Sequence, residues 1–211
     1  LIVTSSLGCT DSISKQLTVY PAPVVDFSTA PASGCVPLTV AFNDLSSIAT
    51  GSIVAWNWQA GTLFSSAQQN PGFSFTTAGT YNITLTITSD QGCTDSLVKS
   101  VTAYAQPAAD FSTNPASGCV PFNATLNDQS SIAAGTIVAW DWRAGNLFSS
   151  AQQNASFNFT APGTYDVMLT VTSNQGCIDS LTKSITAYAS PVVDFEAIPA
   201  QGCVPLDVAI N

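Results

Sequence analysis

Gly79-Thr80-Tyr81-Asn82-Ile83-Thr84-Leu85-Thr86-Ile87-Thr88 alternates one residue at a time, with Tyr81, Ile83, Leu85 and Ile87 on one side and Asn82, Thr84, Thr86 and Thr88 on the other. Successive side chains of an extended chain point to opposite faces, so this stretch is a strand with one face in a core and one in solvent. The β-branched residues fit a pleated surface and disfavour a helix. Asp90-Gln91-Gly92 supplies a turn, and a second strand from Asp95 to Tyr104 completes a hairpin.

Working back from this hairpin, every segment reads as a strand bounded by a turn. Val24–Thr29 is a short strand, which Ala30-Pro31-Ala32-Ser33-Gly34 ends. Leu38, Val40 and Phe42 then face one way in a half-buried strand, and Asn43-Asp44 turns the chain. Ile53–Trp58 places Val54, Trp56 and Trp58 on one face, with Gly61 beyond its end; a Ser/Gln-rich passage follows, and Phe73 and Phe75 alternate in another strand. No stretch shows an amphipathic helical period with caps. The expected fold class is all-β, as tandem immunoglobulin-like β-sandwich repeats of 84 residues. Trp56, Trp58 and Tyr81, with Trp140, Trp142 and Tyr165, are the expected core aromatics.

The repeat length comes from self-comparison. Pro21–Tyr104 aligns with Ala105–Tyr188 at an offset of 84 with most positions identical. The same offset makes residues 1–20 the C-terminal part of a preceding repeat, with Gly8-Cys9-Thr10-Asp11-Ser12 matching Gly92-Cys93-Thr94-Asp95-Ser96. It makes 189–211 the N-terminal part of a following one, so the divisions are 1–20, 21–104, 105–188 and 189–211. The natural polypeptide is expected to be longer, with export signals outside this piece. Ala105-Gln106-Pro107 is a short, stiff linker, so neighbouring sandwiches are expected to stack.

Composition narrows the function. Charged residues are 8% of the chain, against about 25% in ordinary soluble domains, so uncharged polar residues must supply the solvated surface. The cations Lys15, Lys99, Arg143 and Lys183 face thirteen carboxylates, and a net charge of -9 disfavours nucleic acid and anionic lipid as partners. There is no histidine, which removes the usual general base near neutral pH and the commonest transition-metal ligand. No window approaches the roughly 18 apolar residues of a membrane-spanning helix, so no membrane insertion is expected of this segment. No cofactor and no catalytic constellation are expected.

Ser33-Gly34-Cys35-Val36-Pro37-Leu38-Thr39-Val40, Trp56-Asn57-Trp58, Asn70-Pro71, the Gly79–Ile87 strand and Gly92-Cys93-Thr94-Asp95 together resemble the polycystic kidney disease (PKD) family of repeats, in the version found in large surface and secreted proteins of gliding-type Gram-negative bacteria. The resemblance covers essentially the whole chain. It implies an immunoglobulin-like fold and roles in adhesion, spacing or protein contact, without enzymatic activity. The family's usual Trp-Asp-Phe-Gly-Asp-Gly core is here Trp56-Asn57-Trp58-Gln59-Ala60-Gly61 and Trp140-Asp141-Trp142-Arg143-Ala144-Gly145, so the acidic turn is lost.

Six cysteines without a Cys-x-x-Cys pair and without histidine point to disulfides rather than metal ligation. In an immunoglobulin-like sandwich Cys35 falls at the bottom and Cys93 at the top, about 26 Å apart for an eight-residue strand, whereas a disulfide needs Cα atoms within about 7 Å. The expected pairing is therefore between repeats: Cys35 with Cys177, and Cys9, Cys93, Cys119 and Cys203 with repeats outside the chain. Pairing within domains, Cys35 with Cys93 and Cys119 with Cys177, remains the alternative.

Other recurring residues have bland readings beside sharper ones. Asp11-Ser12-Ile13, Asp95-Ser96-Leu97 and Asp179-Ser180-Leu181 resemble the Asp-Ser/Thr-aliphatic acceptor of a bacterial O-glycosylation system, or are turn-closing aspartates before a strand. The sequons at Asn82, Asn123, Asn154 and Asn158 read as accidental. Lys15, Lys99 and Lys183 recur at one strand position, as edge-protecting charges or as isopeptide donors. Asp26, Asp44, Asp110, Asp128 and Asp194 read as solvated turn caps, with calcium at joints as the weaker alternative. The whole points to an extracellular or cell-surface rod or filament whose partners are neighbouring repeats, copies of itself, and a surface glycan or protein. The alternative is a non-catalytic spacer or carbohydrate- or protein-binding module of a larger secreted enzyme.

Overall fold

The computed structural model describes residues 1–210 and divides the chain into two units, Leu1–Ala105 and Gln106–Asn211. All regular structure is β. The first unit contains β1 (Ile2–Thr4), β2 (Thr10–Ser12), β3 (Phe27–Ala30), β4 (Ser33–Cys35), β5 (Leu38–Asp44), β6 (Ile53–Ala60), β7 (Phe64–Ser66), β8 (Gly72–Phe75), β9 (Gly79–Ser89) and β10 (Thr94–Tyr104). The second contains β11 (Pro107–Ala108), β12 (Phe111–Asn114), β13 (Ser117–Cys119), β14 (Phe122–Asp128), β15 (Ser131–Ile132), β16 (Ile137–Ala144), β17 (Phe148–Ser150), β18 (Ala155–Phe159), β19 (Gly163–Ser173), β20 (Ile178–Tyr188), β21 (Ala197–Ile198) and β22 (Ala209–Ile210).

In the first unit a five-stranded sheet, ordered β4-β10-β9-β6-β7, faces a three-stranded sheet, β3-β5-β8. The second unit repeats this as β13-β20-β19-β16-β17 and β12-β14-β18. Each unit is thus an immunoglobulin-like β-sandwich. The Tyr81–Ile87 alternation behaves as the sequence requires: Ile83, Leu85 and Ile87 are fully buried and Tyr81 is half-buried. The Tyr81 hydroxyl donates to the Thr77 carbonyl at 2.7 Å, and Tyr165 does the same to Ala161. Such a corner bond satisfies the phenol at the edge of the core.

Trp58 lies between the sheets with no exposed surface; it meets Phe27 edge-on at 5.1 Å and stacks on Phe42 at 5.5 Å. Its indole Nε1 donates to the Gln68 carbonyl at 3.0 Å, so the one polar atom of the buried ring is paired. Trp142 is equally buried and meets Phe111 at 5.0 Å. The repeats fill the remaining space differently. Leu38, Val40 and Phe42 become Phe122, Ala124 and Leu126, and Phe122 stacks on Phe159 at 4.8 Å. Aromatic bulk has moved along the strand, a swap that cores tolerate when total volume is kept.

Three expectations need correction. Val54 does not join Trp56 and Trp58 on the inner face; it is 55% exposed, as is Val138. A register shift between Ile53 and Ala55 against β9 reverses the alternation there, and half-buried Ile53 packs on the core instead. The Ala30–Gly34 turn is followed at once by a strand: β4 runs parallel to β10, with Ser33, Gly34 and Cys35 opposite Thr102, Ala103 and Tyr104. Gly34 permits this because a Cβ there would stand 2.7 Å from Leu38 Cδ1. The Ser/Gln-rich passage also contains a strand, β7, which extends the larger sheet beyond β6.

The terminal segments carry short hairpins. β1 pairs with β2 in the register Ile2↔Ser12, the counterpart of Thr86↔Ser96, and β21 pairs with β22 as Ala197↔Ile210, the counterpart of Thr113↔Leu126.

Replacing Trp58 by alanine should cost about 3–5 kcal/mol of stability to urea, because it empties the contact between the sheets. Val54→Thr should change stability by no more than about 0.5 kcal/mol, since the bulge has turned that position outward.

Candidate functional site

The cysteines mark the two ends of each unit. Cys35 closes β4 opposite Tyr104, the last residue of β10, whereas Cys93 immediately precedes Thr94, the first. The eleven residues of β10 separate them by about 37 Å at the rise of an antiparallel strand. Cys119 lies opposite Tyr188 and Cys177 immediately precedes β20, with the same separation. A disulfide needs Cα atoms within about 7 Å. Cys35 and Cys177 are disulfide-bonded cysteines. Cys9, Cys93, Cys119 and Cys203 carry free thiols. The Ser89 hydroxyl accepts from the Cys93 amide at 3.1 Å, and Ser173 does so for Cys177, so each hairpin cysteine is held by a buried serine.

A second recurring cluster surrounds the half-buried tryptophan. Trp56 Nε1 donates to Asp44 Oδ2 at 2.7 Å, Gln69 Nε2 to the same oxygen at 3.2 Å, and the Ser46 amide to Oδ1 at 3.0 Å. Asn70 Oδ1 accepts from the Asp44 amide at 2.8 Å. Trp140, Gln153, Ser130 and Asn154 arrange Asp128 identically. Burial pushes both carboxyl groups up, but the donors from serine, tryptophan and glutamine outweigh it and hold them below the ordinary carboxylate range. These aspartates do cap the turn, each accepting from the amide two residues on, but they are half-buried rather than solvated. They tie the turn after β5 to β6 and to the Gln-Gln-Asn segment. The sequence offered one signal for this: Asn-Asp-x-Ser-Ser and Gln-Gln-Asn recur unchanged in both repeats.

The repeated lysines also have defined partners. Lys99 Nζ donates to Asp26 Oδ1 at 2.7 Å and to the Phe27 carbonyl, and stands 5.1 Å over the Phe27 ring. Lys183 does the same with Asp110 and Phe111. A charge expected to guard an edge thus clasps the last strand of one sheet to the first strand of the other. The bond from Lys99, then that from the Phe27 amide, holds Asp26 below the ordinary range, and Lys183 and Phe111 act likewise on Asp110.

Ser12, Ser96 and Ser180 are exposed. Asp11 and Asp95 each accept from the amide of the following serine at 2.8 Å, whereas Asp179 accepts from the Ala109 amide at 2.8 Å and so secures the entering strand of the second unit. Among the described residues, no group of three or more His, Cys, Asp or Glu could hold a metal ion, and no helix is long and apolar enough to cross a membrane.

Comparison with known proteins agrees with this architecture. The PKD domain model matches residues 20–103 and 104–188, and the chain belongs to the PKD domain family. It is 30% identical over 173 residues to the pre-pro-metalloprotease PrtV of Vibrio cholerae, a match covering 81% of this chain but 18% of that protein. The chain therefore spans about a fifth of the length of that curated relative. Among solved structures it is similar to the PKD1 domain of the same metalloprotease, at 32% identity over 39% of this chain and 98% of that one, with a TM-score of 0.35. It is also similar to the PKD1 domain of Vibrio anguillarum Epp, at 28% identity over 40% of this chain and 96% of that one, with a TM-score of 0.36. PKD domains are in general non-catalytic modules of larger proteins.

The four hydrogen-bonded aspartates set the acid response. Their native values lie below the unfolded one, so their contribution is complete above the unfolded value and disappears as pH falls through the native value. Melting temperature should be nearly flat down to about pH 5 and drop below about pH 4. A double Asp44→Asn, Asp128→Asn variant should melt lower at pH 7 and show a shallower acid drop, both read from thermal scans across pH.

Proposed function

We propose that this segment is a non-catalytic structural part of a long extracellular or cell-surface repeat protein, in which disulfides between successive repeats harden a rod or filament. The single observation that carries this reading is the placement of each unit's two cysteines at opposite ends of its last strand. A bond that cannot close within a unit is available to another one. Cys35 pairs with Cys177, and Cys9, Cys93, Cys119 and Cys203 pair with repeats outside the chain. The disulfide-bonded state of Cys35 and Cys177 supports the first of these pairings. Each bond forms as two thiols lose two protons and two electrons to an external disulfide, which leaves as two thiols.

The other residues fit a mechanical role. Trp58 and Trp142 are enclosed, and the indole nitrogens of Trp56 and Trp140 are committed to aspartates, so these side chains serve packing. No histidine is available as a base, and the shifted carboxylates are held by structural donors. This segment is accordingly not an enzyme. Low charge and hydroxyl-rich outer strands suit contact with copies of itself and with a surface glycan or protein. Ser12, Ser96 and Ser180 are the proposed glycan acceptors, supported by their exposure. Intact mass of the native protein should then exceed the polypeptide mass by a releasable carbohydrate; an unmodified mass would remove this assignment.

The match to a pre-pro-metalloprotease favours a second reading, a spacer or binding module within a larger secreted enzyme. The flanking sequence separates the two, because an enzyme interrupts the 84-residue period whereas a filament continues it.

Tryptic mapping without reduction tests the joint. Cleavage after Lys15, Lys99, Arg143 and Lys183 should leave fragment 16–99 bonded to fragment 144–183 through Cys35 and Cys177. Fragment 100–143 bonded to 144–183, with 16–99 closed on itself, would overturn the inter-repeat joint.

A further inference from the structure

We infer that the cross-links turn the array into two interleaved covalent cables that carry tension past most of each folded repeat. This rests on the proposed Cys35–Cys177 pairing and its repetition along the array. From each hairpin cysteine the chain runs to the entry-strand cysteine of the next repeat, as from Cys93 to Cys119 or from Cys9 to Cys35, always twenty-six positions on. Between Cys93 and Cys119 lie β10, β11, β12 and β13, and little else. The segment is thus mostly extended strand before any load is applied. Its full reach is about 90 Å.

The entry-strand cysteine then bonds to the hairpin cysteine of the following repeat, where the next such segment starts. One cable passes through alternate joints and the second through the others. In this chain the segments Cys9–Cys35 and Cys177–Cys203, joined by Cys35–Cys177, form one such stretch of cable. The 141 residues between Cys35 and Cys177 hang outside it. They include β6 and β16 with their tryptophans, and the long core strands β9, β10 and β19. Pulling on the ends of a chain does work on a fold only if unfolding lengthens the loaded path. Here unfolding either core adds almost nothing to that path. Parallel pairing of β4 with β10 and of β13 with β20 means that the strands at each unit's entrance and exit run in the same direction, so tension loads them along their length.

Single-molecule stretching of the 211-residue chain, held by its first and last residues, tests this on a preparation whose Cys35–Cys177 bond has been verified by peptide mapping. With the bond intact the path comprises residues 1–35 and 177–211, and the contour length should end near 240 Å at about 3.4 Å per residue. After reduction, or in a Cys35→Ser, Cys177→Ser variant, it should reach about 720 Å, with two steps of about 290 Å as each 84-residue repeat unfolds. A repeat-sized step while the bond is intact would overturn the load path and leave the joint standing. Failure to find the bond in the mapping would overturn the joint itself, and the load path with it.

Discussion

The long hairpin ladder, β9 with β10 and β19 with β20, organises each unit. In the first unit ten residue pairs, from Thr94↔Thr88 to Ala103↔Gly79, fix one register. That register turns Ile83, Leu85, Ile87, Val101 and Ala103 inward together, and a slip by one residue would send them all to solvent. The same two long strands carry the hairpin cysteine at one end and bring Tyr104 beside Cys35 at the other. Core packing and the placement of the cysteines are therefore consequences of one ladder.

Low charge places unusual weight on the few ionised groups. Asp26 and Asp44 each accept bonds that join separate strands, and so do Asp110 and Asp128. Lys99 and Lys183 act as clasps between sheets, with the ammonium lying over a phenylalanine ring. The second unit keeps these polar links while redistributing its aromatic bulk among Phe122, Ala124 and Leu126. Apolar packing adapts to total volume, whereas a hydrogen bond depends on a particular donor facing a particular acceptor. This explains why the polar clusters repeat more strictly than the core.

PKD domains are in general non-catalytic modules, and the side chains of this chain are occupied accordingly. Its largest side chains are committed to the interior, its shifted carboxylates to strands, and its cysteines to the ends. The chain contains no histidine, and among the described residues no group of three or more His, Cys, Asp or Glu could hold a metal ion. Kinship with the PKD domain of a metalloprotease shows that such modules accompany enzymes, without making this segment one.

By itself the sequence determined the fold class, the period and the separation of the cysteines, because these come from alternation, self-similarity and strand length, all of which are local or additive along the chain. Trp58 and Tyr81 were legible as core residues for the same reason. Only the tertiary structure decided that Val54 points outward, because a bulge depends on the neighbouring strand; that Ser33–Cys35 forms a strand, because Gly34 must slip past Leu38; and that Asp44 meets Trp56 and Lys99 meets Asp26. Those pairs are twelve and seventy-three residues apart, and no period in a chain records which side chains folding will bring together.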